Sequence, residues 1–182
     1  AVQGQVVPAT NVDVRLWAEL ENGDRIEGES NIGHAPSPIV RLGCLPERPP
    51  ALPRALEAIA SADLILLGPG SLYTSLLPNL LVPELVSAIR RSRAPRLYIC
   101  NLMTQPGETD GLDVRGHLRA IEAQLASLGI DQRLFTAVLA QDDLGDSPLV
   151  EHYRSRGAQP GVCDADDLRS CLLYTSDAAD ED

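Results

Sequence analysis

The chain has 182 residues, 44% of them hydrophobic and 23% charged, which is enough for one globular domain with a core and excludes a disordered chain. Its net charge is −11 and every basic residue is arginine, so a Walker lysine, a Schiff-base lysine and a lysine nucleophile are all excluded. No apolar run approaches the ~20 residues of a membrane span, and AVQGQVVPAT at the start is no signal peptide.

Alternation opens the chain. Val12, Val14, Leu16, Ala18 and Leu20 fall on one face of a strand, with Asp13, Arg15, Trp17 and Glu19 on the other. Asn22-Gly23 is a strong hairpin signal, because both turn positions favour positive φ. A β-hairpin is therefore expected over residues 12–29, then a loop, SNIGHAPSP. IVRLGCL (39–45) reads as a strand, and Pro49, Pro50 and Pro53 open a helix reaching residue 61, with Leu52, Leu56 and Ile59 inward.

Residues 63–67 form a short, continuously apolar strand, the pattern of a parallel strand covered on both faces. A loop, GPGSLYTS, precedes a helix over residues 80–92, with Pro83 in its first turn. Arg90, Arg91, Arg93 and Arg96 end that helix, where cations complement the dipole; they are the nearest approach to a basic stripe, and nucleic acid is not an expected partner. A strand over 96–101 and a helix over 112–128 follow. In that helix Val114, Leu118, Ile121, Leu125 and Leu128 recur at helical spacing and Gly129 ends it. A strand over 134–140 and a helix from Ser147-Pro148 to about residue 157 complete the pattern. Strands alternating with helices predict an α/β, Rossmann-like three-layer fold with a mainly parallel sheet, plus the hairpin near the N-terminus.

Cys44, Cys100, Cys163 and Cys171 match no zinc or redox spacing. Cys44 and Cys100 lie in strands and read as small buried hydrophobes, which fits a reducing cytosol. The tail CLLYTSDAADED (171–182) changes register abruptly and resembles a translated transposase adapter from sequencing libraries. It is set aside from the fold like a tag. With no initiator Met, the start of the protein is expected upstream.

Ligands of parallel α/β sheets bind beyond the carboxyl ends of the strands. Two loops leave such ends. In the first, Gly68 and Gly70 let backbone approach an anion, and Ser71, Tyr73, Thr74 and Ser75 add hydroxyls ahead of a helix N-terminus. A plain strand-to-helix turn explains Gly-Pro-Gly equally well. The second, NLMTQPGETDG, gathers Asn101, Thr104, Gln105, Glu108, Thr109 and Asp110, of which Thr109 or Asp110 would cap the next helix. If the strands are parallel, both loops share one edge and together suit a phosphorylated ligand with a polar ring or sugar. His34 lies in a loop able to fold over the site; His117 and His152 are expected at the surface. Asp142, Asp143 and Asp146 read as a polar turn before a capped helix rather than a metal site. No catalytic triad is visible at local spacing.

ADLILLGPGSLYTSLLPNLLVPELVSAIRRS with LYICNLMTQPGETDG closely resembles the CofD-like family, and the hairpin AELENGDRIEGES resembles its YvcK branch, the gluconeogenesis factors. The resemblance covers residues 6–170. It implies a Rossmann-like fold, a cytoplasmic protein, binding of UDP-N-acetylglucosamine or a related nucleotide sugar, and a role in cell shape and carbon metabolism; a homo-oligomer stays open. The related CofD enzymes transfer 2-phospho-L-lactate in coenzyme F420 synthesis with a divalent metal such as Mg2+; under that alternative Glu108 or Asp110 would help hold the metal. The glycine-rich loop with which family members open is absent here, so residues 1–170 are expected to be the C-terminal part of a single domain.

Overall fold

The computed structural model describes residues 3–130, 133–141, 145 and 147–161. Alternation and the Asn22-Gly23 turn build the first sheet. β1 (Arg15–Leu20) pairs antiparallel with β2 (Arg25–Glu27) and, on its other side, with β3 (Ile39–Leu45). Gly23 has φ 87°, as the turn requires. A short helix, α1 (Glu29–Ile32), lies between β2 and β3. The 39–45 strand has the predicted bounds but belongs to this antiparallel sheet, in the order β2-β1-β3, and not to the parallel series.

The expected outward placement of Trp17 is overturned. Its ring is buried, and the Arg25 and Arg41 guanidinium carbons stand 4.1 and 4.9 Å from the ring centroid. Glu19 holds Arg41 in place by accepting from Nε at 3.0 Å and Nη2 at 2.7 Å. Gly43 is paired with Trp17 across β1 and β3, and a Cβ there would stand 2.1 Å from Cζ2 of the ring. Gly43→Ala is therefore expected to expel the ring, at a cost of about 1–3 kcal/mol. Trp17 is the sole tryptophan, so a red shift of its fluorescence reports the change directly.

The second sheet is parallel, in the order β4-β5-β6: β4 (Ile65–Leu67), β5 (Arg96–Ile99) and β6 (Ala137–Leu139). Leu64 and Leu66 are each 50% exposed, so the β4 segment is not covered on both faces as its apolar run predicted. The helices are α2 (Pro53–Ala60), α3 (Leu77–Leu80), α4 (Pro83–Arg91), α5 (Val114–Ser127) and α6 (Pro148–Arg154). The helix expected over 80–92 is α4, with Pro83 in its first turn where no amide donor is lost; the four-residue α3 precedes it as a separate, unpredicted turn. At the end of α4, Nη1 of Arg96 donates to the Ile89 and Arg90 carbonyls, so this cation satisfies helix-end acceptors.

One core joins both sheets. Leu20, Leu42 and Cys44 from the first pack with Tyr98 and Val138 from the second and with Ile121 and Leu125 of α5. A smaller cluster of Ala55, Val82 and Leu85 holds α2 against α4. Gln124 of α5 reaches the backbone of β3: its Oε1 accepts from the Leu42 amide and its Nε2 donates to the Leu42 carbonyl, each at 2.9 Å. This buried amide satisfies strand groups that have no neighbouring strand on that side. Among the described residues, no single helix is long and apolar enough to cross a membrane.

Candidate functional site

β4 and β5 run parallel in register, with Leu67 opposite Tyr98, so the segments after them leave the same sheet edge side by side. Gly68 makes the first departure possible. Its φ is 96°, and a Cβ there would sit 2.4 Å from the Ile99 carbonyl oxygen. The Gly68-Pro69 bond is cis. Asn101 then clamps the loops: its Oδ1 accepts from the Gly70 amide at 3.0 Å and its Nδ2 donates to the Gly70 carbonyl at 2.8 Å. Gln105 Nε2 donates to the Ser71 hydroxyl at 2.8 Å.

Glu108 completes the junction. Its Oε1 accepts from the Tyr73 amide at 2.7 Å, the Thr74 amide at 3.0 Å and the Thr74 hydroxyl at 3.4 Å. The LYTS stretch is helical and not loop: Leu72–Leu76 is a π-helical turn running directly into α3. Two amides at its start, which the sequence offered to a phosphate, are thus engaged by a carboxylate of the same chain.

The structure separates the predicted site residues. Gly68, Gly70, Ser71, Asn101, Gln105 and Glu108 come together. Tyr73 turns inward, where its hydroxyl donates to the Ile39 carbonyl at 3.1 Å. Burial, aided by Glu108, pushes that phenol up to about 12, so it stays protonated. Thr104 is buried and faces the segment after α6: its amide donates to the Gln159 carbonyl at 2.7 Å and its hydroxyl accepts from the Gln159 amide at 2.8 Å. Ser75 is exposed, and its amide donates to the Ser71 carbonyl. Asp110 does not cap α5; its Oδ2 accepts from the Gly107 amide at 2.6 Å. Thr109 accepts from the Gln105 amide, and Asp113 caps α5 through the Gly116 amide.

Residues 35–38, expected to be loop, and Ile39 at the start of β3 form the outer wall of a cleft of about 180 Å³ with Tyr73, Glu108, Asp110 and Leu112. The Ala35 amide donates to the Gly107 carbonyl at 3.0 Å, so this segment does pack on the second loop. The His34 side chain points back to the Ser30 carbonyl and remains exposed. His152 is at the surface as expected. Asp142, Asp143, Asp146, Cys163, Cys171 and the tail lie outside the described residues.

His117 corrects the surface expectation: it is 1% exposed. Its place between Val114 and Ile121, three and four residues away, was the available signal. Nδ1 lies 2.8 Å from the Asp113 carbonyl, an acceptor only, so Nδ1 carries the proton and Nε2 is a bare buried acceptor without a partner. Burial depresses its pKa below 6.5, against the opposing pull of the Asp113 carbonyl and the charges of Asp113 and Glu108. Because the folded value is the lower, the unfolded chain binds more protons as pH falls below about 6.5. The contribution is full above that pH and is lost on acidification toward the folded value. Urea melts of wild type and His117→Gln between pH 5 and 7.5 should show a shallower decline on acidification for the variant.

The profile of the family described as 2-phospho-L-lactate transferase CofD matches residues 1–177. The chain belongs to the CofD family. Within it, the chain is 39% identical over 172 residues to the gluconeogenesis factor of Bacillus subtilis, covering 94% of this chain and 53% of that protein. It is 52% identical over 164 residues to a Nostoc protein provisionally named gluconeogenesis factor, covering 90% of this chain and 35% of the relative. A crystal structure of a UPF0052-family member from Bacillus halodurans superposes with a TM-score of 0.85 at 40% identity, over 96% of this chain and 55% of that one. The chain thus spans about half the length, or less, of these family members. The match supports the α/β, Rossmann-like architecture.

Proposed function

We propose that the paired loops bind a nucleotide sugar, UDP-N-acetylglucosamine or a close relative, and that the protein is a non-catalytic cytoplasmic regulator of carbon metabolism and cell shape. The observation that carries this reading is the Asn101 clamp, which joins a bare Gly-Pro-Gly turn to a polar loop at the carboxyl edge of two parallel strands. The relatives named gluconeogenesis factor support the regulatory part. Since Glu108 engages the Tyr73 and Thr74 amides and Asn101 the Gly70 amide, the Ser71 hydroxyl is the donor that the 68–71 turn offers to phosphates, beside glycines that let a ligand approach closely.

The family description favours a second reading, transfer of 2-phospho-L-lactate with Mg2+. Among the described residues, no three His, Cys, Asp or Glu side chains gather for a metal. Mg2+ commonly takes one or two carboxylates plus ligand phosphates, and Asp110 and Glu108 are the carboxylates these loops supply.

Calorimetric titration of UDP-N-acetylglucosamine, with and without magnesium, separates the readings. Metal-independent binding without turnover is expected. No binding, together with magnesium-dependent phospholactyl transfer, would establish the transferase instead.

A further inference from the structure

We infer that the cleft between residues 35–39 and the Glu108–Asp110 loop receives a neutral, hydroxyl-rich sugar ring and rejects an acidic one. The inference rests on the nucleotide-sugar reading and assigns the sugar its place. At about 180 Å³ the cleft is smaller than the roughly 300–1,000 Å³ of pockets that take a whole drug-sized ligand, so it suits one part of a ligand only. Its wall includes Tyr73 and Glu108, which meet at the Tyr73 amide, two residues along the chain from the 68–71 turn.

The walls accept hydrogen bonds and scarcely donate them. All the recorded hydrogen bonds to Glu108's carboxylate end on Oε1, and the one to Asp110's ends on Oδ2. Oε2 and Oδ1 take none among the described residues. Pro36 and Pro38 have no N–H, and the Ala35 amide is spent on the Gly107 carbonyl. The Tyr73 hydroxyl is spent on the Ile39 carbonyl. Ser37 is the remaining side-chain donor on the wall. Ile39 and Leu112 supply apolar surface between these groups. A ligand rich in hydroxyl or amide donors matches such a lining. A carboxylate would meet two like charges and almost no donor.

The test titrates UDP, UDP-N-acetylglucosamine and UDP-glucuronate into the protein at the full length of its relatives and into Asp110→Asn, which keeps an oxygen for the Gly107 amide. The neutral sugar should bind at least ~10-fold tighter than UDP, and the acidic sugar no tighter than UDP. Asp110→Asn should narrow the gap between the two sugars several-fold. Equal affinity of wild type for both sugars overturns the inference, as does a neutral sugar no tighter than UDP, which leaves nucleotide binding standing. Failure of all three to bind removes the nucleotide-sugar reading and the inference with it.

Discussion

Gly68→Ala is expected to destabilise the protein by about 3–5 kcal/mol and to part the two loops. Two costs add. The backbone there has φ 96°, a region that residues with a Cβ rarely enter. The new Cβ would also lie 2.4 Å from the Ile99 carbonyl oxygen, a backbone atom that cannot turn aside. Relief requires β4 and β5 to separate at their carboxyl ends, where Asn101 bridges to Gly70. A thermal melt should show a drop of roughly 6–20 °C. Hydrogen exchange should show the Gly70 amide losing protection along with the strand ends. Gly70→Ala is the control. Its Cβ would meet the flexible Cδ2 of Leu76 at 3.2 Å, and its φ lies outside the left-handed region, so a far smaller loss is expected. Equal losses at the two positions would show that Gly68 has no special role.

Glu108→Ala should cost on the order of 2–4 kcal/mol, because it strips an acceptor from two helix-start amides. Tyr73 is buried, so water replaces the lost carboxylate poorly at its amide. The favourable placement of a negative charge at a helix N-terminus is lost as well. Glu108→Gln retains one acceptor oxygen and should recover more than half of the loss. Exchange of the Tyr73 and Thr74 amides should speed up strongly in the alanine variant and modestly in the glutamine variant. Unchanged protection in both would mean that the carboxylate merely lies beside amides satisfied in another way.

Much of this was legible in the sequence. Asn22-Gly23 sets the hairpin because its φ requirement is local. The 114–128 stripe forms a helix for the equally local reason that one face must be apolar, and glycine follows it at Gly129. The loops could be placed together because parallel strands bring their carboxyl ends to one edge. What stayed hidden depended on distant partners. Trp17 lies on the polar side of an alternating strand, yet it is buried because Gly43 leaves room beneath the ring and two arginines cover it. His117 is different, because its signal was local: it falls on the buried stripe between Val114 and Ile121.

The site divides along the same line. Residue type and spacing alone determined that two polar, glycine-bearing loops leave the ends of short strands, and that these 182 residues carry no lysine. Only the tertiary structure decided which polar groups face one another. It commits Glu108 to the Tyr73 and Thr74 amides, turns Thr104 toward Gln159 and Tyr73 into the core, and brings residues 35–39 against the second loop. The physical reason is range. Backbone preference and hydrophobic period act within a few residues, whereas a hydrogen bond between Glu108 and Tyr73 spans 35 positions and exists only once the core has packed.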